Sequence, residues 1–261
     1  MIGSRWPRRL LAVHSALVYL FLYLPIAVLV VFSFNAARQT AVWDGLTLDW
    51  YRRLLDDEAL LGAVRNSLTV ASCTTLAATI LGTLAALAMG RHQFRGKRPT
   101  QALLMLPVVI PEIVLGAALV TFFGVARMRL SLTTVILAHV VFSISYVAIV
   151  VRARLAGLDP SLEEAARDLG AGSFDTFRRV TLPLLFPGIV ASALLVFTLS
   201  IDDYVITSFV AGVGATTLPL HIYSMLKVGV TPEINAVSTL LLAVTVALIV
   251  AAQRLLQEKK T

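Results

Sequence analysis

Charge is scarce in this chain. Asp, Glu, Lys and Arg make up 14% of its 261 residues, against 58% apolar residues. Soluble domains have about 25% charged and about 45–50% apolar residues, so a water-soluble globule is excluded. Cysteine is nearly absent. The single Cys73 rules out a disulfide or a cysteine-based metal centre within one copy, and a small buried thiol is expected there. No G-x-x-x-x-G-K-[ST] stretch occurs, so the chain has no phosphate-cradling loop of that type and is not its own ATPase. Internal repeats and low-complexity segments are also missing. The lack of repeats counts against an ion-driven secondary carrier, in which inverted repeats are expected. His139 has no second ligand at metal spacing, which points to an interhelical hydrogen bond rather than a metal.

The apolar residues are gathered into six runs, 10–33, 65–89, 101–124, 132–152, 184–206 and 234–253. Each is near the ~20 residues that cross a bilayer core. The expected fold is therefore an all-α membrane protein of six transmembrane helices forming one domain over residues 1–261. The first run exceeds the ~7–15 apolar residues of a signal peptide and is expected to stay as a span, with Pro25 kinking it. An even number of spans puts both termini on one side. If that side is the cytoplasm, the N-terminus, the 91–99 loop, the 152–182 loop and the tail hold 15 of the 22 Lys and Arg. The opposite side carries Asp44, Asp49, Asp56, Asp57 and Glu58, although Arg127 and Arg129 break the pattern locally. This bias predicts an N-in, C-in orientation and explains the net charge of +7 without nucleic acid. Outside, Thr47–Leu55 reads as a short amphipathic helix capped by Thr47, with Trp50 and Tyr51 at the headgroup level.

The 159–182 loop carries more organisation than solubility requires. Asp159-Pro160-Ser161 is a helix start, with Glu163 and Glu164 in the first turn. Leu162, Ala165, Ala166 and Leu169 form a small apolar stripe, and Gly170 stands where a left-handed C-cap belongs. A second short helix, capped by Ser173, is expected to run through Arg179 before Leu182-Pro183 hands the chain to the fifth span. Two short helices joined at a glycine make a compact knob. Its alanines suit a groove, and Glu164 and Arg167 suit charged contacts at the rim.

The pattern E-A-A-x-x-x-G-A at 164–171, followed by Phe177, Leu182-Pro183 and Pro187, resembles the cytoplasmic coupling loop of ABC-transporter permeases. Other stretches are similar to the polyamine (spermidine/putrescine) permeases of bacterial importers. They are Ser33-Phe34-Asn35, Leu48-Asp49-Trp50-Tyr51, Asn66-Ser67-Leu68, Leu199–Ile206, Thr217–Met225 and Lys227–Ala236. Ile201 departs from the pattern, where leucine is expected. The resemblance spans nearly the whole chain. It implies the type I ABC importer permease fold, a multi-pass location in the bacterial inner membrane, and no enzymatic residue. It also implies a second homologous permease, an ATPase dimer that binds ATP and magnesium, and a periplasmic solute-binding protein. Glu163, Glu164, Ala165, Ala166, Arg167, Gly170, Ala171 and Phe177 are then the ATPase-coupling residues. In the implied mechanism of alternating access, closure of the ATPase dimer rocks the spans through this knob. Permeases for an iron chelate, a phosphonate or an opine share much of the pattern and form the alternative.

Physical chemistry adds a separate expectation. A polycation's route should offer carboxylates and aromatic faces, and a charge inside a span is a functional-site candidate by default. Glu112 lies in the third run, directly after Pro111 and close to Pro107. That is the signature of an interrupted helix, and in a straight span it would put Glu112 about 16 Å deep. Asp202, Asp203 and Tyr204 sit toward the outer end of the fifth run. Glu112, Asp202 and Asp203, with Tyr204 and Tyr223, are the candidate substrate pathway. Lys227 is expected to pair with Glu233 or with a partner's carboxylate.

Overall fold

The computed structural model describes residues 5–37, 42–229 and 231–257, with the side chains of 5–9 and 248–257 left out of the description. The expected inside charges Arg5, Arg8 and Arg9 and the basic tail lie outside the described side chains. The described chain is helical, and its one β-bridge pairs Asn35 with Leu46. Two compact units are distinguished: one holds the chain up to Glu58 with Ile222–Ala247, the other is built on Ala59–His221.

In the first unit, α1 (Arg5–Phe32) is apolar and exposed along its length, with Pro25 inside it. An apolar helix bare on every side is matched to lipid or to other helices, not to water. After it, Asn35 is fully buried and organises the loop that leads to the next helix. Its side chain donates to Val42 O (2.6 Å) and accepts from Asp44 N (2.9 Å), while its own carbonyl accepts from Trp50 Nε1 (2.8 Å). The short helix α2 (Asp49–Asp56) begins two residues after Thr47, whose hydroxyl accepts from the Asp49 N–H at 3.1 Å. Trp50 is buried, and the Tyr51 hydroxyl lies 2.6 Å from Ser33 Oγ. These aromatics therefore lock the loop, a job for which the expected headgroup anchoring had no place. α12 (Pro232–Gln257) completes this unit through its residues up to Ala247.

The second unit is centred on α6 (Leu132–Ala156), which packs against α4 (Lys97–Val109), α9 (Leu182–Asp202) and α10 (Val205–Val210). Val147 and Val151 of α6 are fully buried with Leu185 and Val196 of α9. The long α3 (Glu58–Arg91) meets α6 along small residues at four-residue spacing, Ala78, Gly82 and Ala86. A Cβ on Gly82 would fall 2.5 Å from Val147 Cβ, so only glycine lets the two backbones come this close. Cys73 is exposed on α3. The expected burial of this thiol is corrected: Cys73 falls off the α6-facing stripe of Ala78, Gly82 and Ala86.

Among the described residues four helices are long and apolar enough to cross a membrane, and a fifth span is formed if α4 and α5 (Glu112–Val125) count as one. α4 and α5 are bent by 113° at Ile110-Pro111. Pro111 forces the residue before it out of helical geometry, and Ile110 is extended (φ −73°, ψ 133°). The interruption expected from Pro107 and Pro111 is present. The estimate of ~16 Å for the depth of Glu112 fails, because it assumed a straight axis. The fifth run is also shorter than expected: helical geometry stops at Asp202, Asp203 is extended (φ −68°, ψ 121°), and α10 follows as a separate turn.

Candidate functional site

The 159–182 knob is built as follows. Asp159 Oδ1 accepts from the Ser161 N–H (2.9 Å), capping α7 (Ser161–Asp168) from two residues before its first residue. Gly170 adopts φ +88°, the Gly170 N–H reaches Arg167 O (2.9 Å) and the Ala171 N–H reaches Ala166 O (3.0 Å). That pair of bonds is the Schellman ending that a glycine at this position permits. The expected second short helix does not exist as a separate piece. Instead α8 (Ser173–Thr176) runs through a π-helical turn, Phe177–Thr181, straight into α9, and Ser173 makes no cap. Pro183 explains the widened turn: it lacks the N–H for Arg179 O and its ring crowds that carbonyl, so the ladder shifts to Leu182 N–H→Phe177 O just before it.

The knob's polarity is inverted relative to a soluble helix. Leu162 and Leu169 are exposed, Leu169 at 90%, together with Glu164, Ala165 and Arg167. Glu163 is the buried member. Both its oxygens take the Arg91 guanidinium at the end of α3, Oε1 also accepts from Thr181 Oγ1 at 2.5 Å, and Arg167 lies 3.6 Å from Oε2. Bonding to Arg91 holds the Glu163 carboxyl below its ordinary range, overcoming burial, with Thr181 and Arg167 adding to the effect. So Glu163 braces the knob from within, while Glu164, Ala165 and Arg167 face outward and Ala166, Ala171 and Phe177 are half-buried. The sequence reading missed Arg91, 72 positions from Glu163, and Thr181, 18 positions away, which no local pattern links to it. It also missed Phe174, 72% exposed beside the Gly170 turn. A large aromatic in the first turn after a glycine-rich break was the available signal.

A second arrangement forms where the two helix breaks meet. A cavity of about 300 Å³ is lined by Pro107, Glu112 and Leu115 from one break and by Thr198, Leu199 and Asp202–Ile206 from the other, with Phe142 and Tyr146 of α6. It brings together Glu112, Asp202, Asp203 and Tyr204. No Lys, Arg or His is among its lining residues. Glu112 opens α5 in the first turn, where the helix dipole favours a carboxylate. Glu112 and Asp202 are exposed and have no hydrogen-bond or ion-pair partner among the described residues. Asp203 differs, being 6% exposed with its side chain fully engaged. Discontinuous helices with polar groups at their breaks suit the passage or binding of a solute, here a cation with an apolar or aromatic-compatible body. Tyr223 is not one of the lining residues. It lies on α11 (Leu218–Val228), where the Lys227 ammonium sits 5.0 Å from its ring centroid. Lys227 therefore covers an aromatic face, and no Lys227–Glu233 ion pair forms among the described residues. His139 makes interhelical hydrogen bonds, as expected.

Comparison with known proteins places these features. A family model described as binding-protein-dependent transport system inner membrane component matches residues 78–260. The spermidine/putrescine transport system permease protein PotC of Escherichia coli K12 is 40% identical over 242 residues, covering 93% of this chain and 92% of that protein. The putrescine transport system permease protein PotI of the same strain is 45% identical over 231 residues, covering 86% and 82%. Among solved structures, a chain of a bacterial ABC transporter involved in import of the polysaccharide alginate superposes with a TM-score of 0.81 at 19% identity, covering 98% of this chain and 97% of that one.

Proposed function

Because the chain belongs to the family of binding-protein-dependent transport system inner membrane components, we propose that it is the permease subunit of an ATP-driven ABC importer for polyamines. It is a multi-pass inner-membrane transport protein with the type I importer fold, not an enzyme. The chain works as one permease domain of six spans, oriented N-in and C-in. α4–α5 supplies the broken third span and α12 the sixth. Its partners are a second homologous permease, an ATPase dimer that binds the ATP and magnesium, and a periplasmic binding protein that delivers spermidine or putrescine.

The observation that carries the cargo assignment is the cavity at the two helix breaks, with three carboxylates, two tyrosines and no basic lining residue. A polyamine brings ammonium groups to carboxylates and methylenes to aromatic faces. A phosphonate or another anionic solute would bring like charge to the same place. The names of the relatives point the same way. On the inner side, the exposed Leu162, Leu169 and Phe174 with Glu164 and Arg167 form the docking face for the ATPase. The Glu163 brace carries the motion of that face to α3 through Arg91 and to α9 through Thr181. ATP closure then rocks the spans and opens the cavity outward to receive cargo.

The test is uptake of radiolabelled putrescine and spermidine into proteoliposomes holding the complete complex and its binding protein. ATP-dependent accumulation of one or both is expected. Hydrolysis stimulated by the loaded binding protein without accumulation of either polyamine refutes the cargo. For topology, single cysteines at Arg95 and Gly172 should react only from the cytoplasmic side and one at Arg127 only from outside. Reaction of all three from one side refutes the orientation.

A further inference from the structure

Asp202 and Asp203 are adjacent, yet their surroundings have little in common. Asp202 ends α9 exposed and without a hydrogen-bond or ion-pair partner among the described residues. Asp203 is buried beneath the break and serves as the cap of α10: its Oδ1 accepts from the Ile206 N–H (3.3 Å) and Oδ2 from the Thr207 N–H (2.8 Å). Thr207 Oγ1 also donates to Oδ2, at 2.7 Å. From α6, His139 lies with Nε2 3.2 Å from that same Oδ2 and 2.9 Å from Thr207 Oγ1, and with Nδ1 2.8 Å from Ser200 Oγ. The imidazole is 1% exposed, and the Phe142 ring lies at 5.3 Å.

Counting hydrogens assigns the tautomer. An ionised carboxylate only accepts, so the one hydroxyl hydrogen of Thr207 is committed to Asp203. Thr207 Oγ1 is then an acceptor toward His139, and Nε2 must carry the proton. A neutral ring leaves Nδ1 free to accept from the Ser200 hydroxyl. Both ring nitrogens then have partners. The assembly ties three elements to one carboxylate: α6 through His139, the end of α9 through Ser200, and the start of α10 through Thr207.

We infer that His139 is a positioning residue. By saturating Asp203 it fixes the break between α9 and α10, and so sets where Asp202 stands in the cavity. The three carboxylates then divide into one that is structural, Asp203, and two that are free for a cation, Glu112 and Asp202. The consequence for uptake rests on the cation pathway proposed above, whereas the positioning itself does not.

The experiment separates the two. In the assembled complex with Cys73→Ala, Asp202→Cys provides a thiol at the break, and its rate of reaction with a cationic methanethiosulfonate reports access to position 202 without any cargo. Losing one buried hydrogen bond is worth about 1 kcal/mol, so His139→Leu should change the labelling rate about fivefold. His139→Gln, which can donate to Thr207 and accept from Ser200, should keep the rate within about twofold, the reverse of what a packing role predicts. Equal rates in His139→Leu and the parent overturn the inference. If His139→Leu does not assemble, Ser200→Ala takes its place, since it removes only the partner of Nδ1. Putrescine uptake is read in parallel with the native Asp202. His139→Leu and Asp203→Asn should each lower it, and the double variant should lose no more than the worse single one. A full multiplication of the two losses shows that His139 does not act through Asp203 and also overturns the inference. Altered labelling with unaltered uptake leaves the positioning role standing and removes the cation pathway.

Discussion

Glu163 in the 159–182 knob and Glu112 at the broken helices are both carboxylates in the first turn of a helix, but their counter-charges differ. Glu163 is buried and gripped by Arg91, with Thr181 and Arg167 adding to the contact. Glu112 shares a cavity with Asp202 and Asp203 and has no basic residue among its neighbours in the lining. A buried carboxylate with its cation supplied is locked, since withdrawing either partner strands a charge. Carboxylates without one leave room for a cation that comes and goes. The same chemistry therefore marks a rigid joint in one place and, in the pathway proposed above, room for a cation in the other.

Breaking the joint should have the largest effect. Arg91→Ala leaves Glu163 buried without its cation. Fully buried pairs lose about 3–5 kcal/mol in this way, and because the Arg91 side chain is 33% exposed a smaller loss, on the order of 2–3 kcal/mol, is expected here. The measured result should be loss of ATPase retention on the permease and of uptake. Exchanging the charges, Arg91→Glu with Glu163→Arg, should restore part of both. Retention unchanged in Arg91→Ala would make the brace ornamental and leave the comparison without its rigid half.

How far the sequence anticipated this contrast depends on the distance between partners. The cap at Asp159, the stop at Gly170 and the break before Pro111 were legible because each is a local consequence of one residue's backbone chemistry. The path of the chain after Ser173 was not. A proline at 183 reads as a helix start, whereas here it widens the ladder into a π turn and the helix continues. Glu163 read as a first-turn acid, since nothing local ties it to Arg91. Trp50 read as an anchor at the headgroups because its acceptor, the Asn35 carbonyl, is set by the folding of a loop. Glu112, Asp202 and Asp203 were found as charges within apolar runs. That Asp203 differs from the other two follows from its bonds to Ile206 and Thr207 of α10 and from His139 on another helix.

At the cavity, Glu112→Gln and Asp202→Asn test the unpaired half of the contrast. A charge-assisted contact is worth about 1.5–3 kcal/mol, so each change should lower putrescine uptake about tenfold or more, with assembly and ATPase docking intact. Normal uptake in both single variants and in the double variant would remove these carboxylates from the pathway. A smaller effect is expected from acid. The folded Glu163 ionises below its unfolded value, so its contribution is complete above the unfolded pKa of about 4.3 and disappears as pH falls through the lower folded value. ATPase retention should therefore hold from pH 7 to about 5 and fall below that, and Glu163→Gln should flatten the fall in that window. A decline of the same size in Glu163→Gln would assign the acid sensitivity elsewhere.

The smallest predicted effect touches the knob without touching its ion pair. Gly170 has φ +88° and open space where a Cβ would be, so Gly170→Ala meets strain and no clash. Left-handed geometry costs an L-residue about 1–2 kcal/mol. Asparagine tolerates this region better, so Gly170→Asn should cost less. The strained turn lies between the exposed Leu169 and Phe174, so its distortion should weaken ATPase binding by about fivefold to tenfold in alanine. The Arg91–Glu163 contact, on the opposite face of the knob, should survive, and the acid profile of retention should keep its shape at lower affinity. If Gly170→Ala instead flattens that profile, the glycine turn and the brace form one mechanical unit, and the docking face cannot be tuned apart from the joint that holds it.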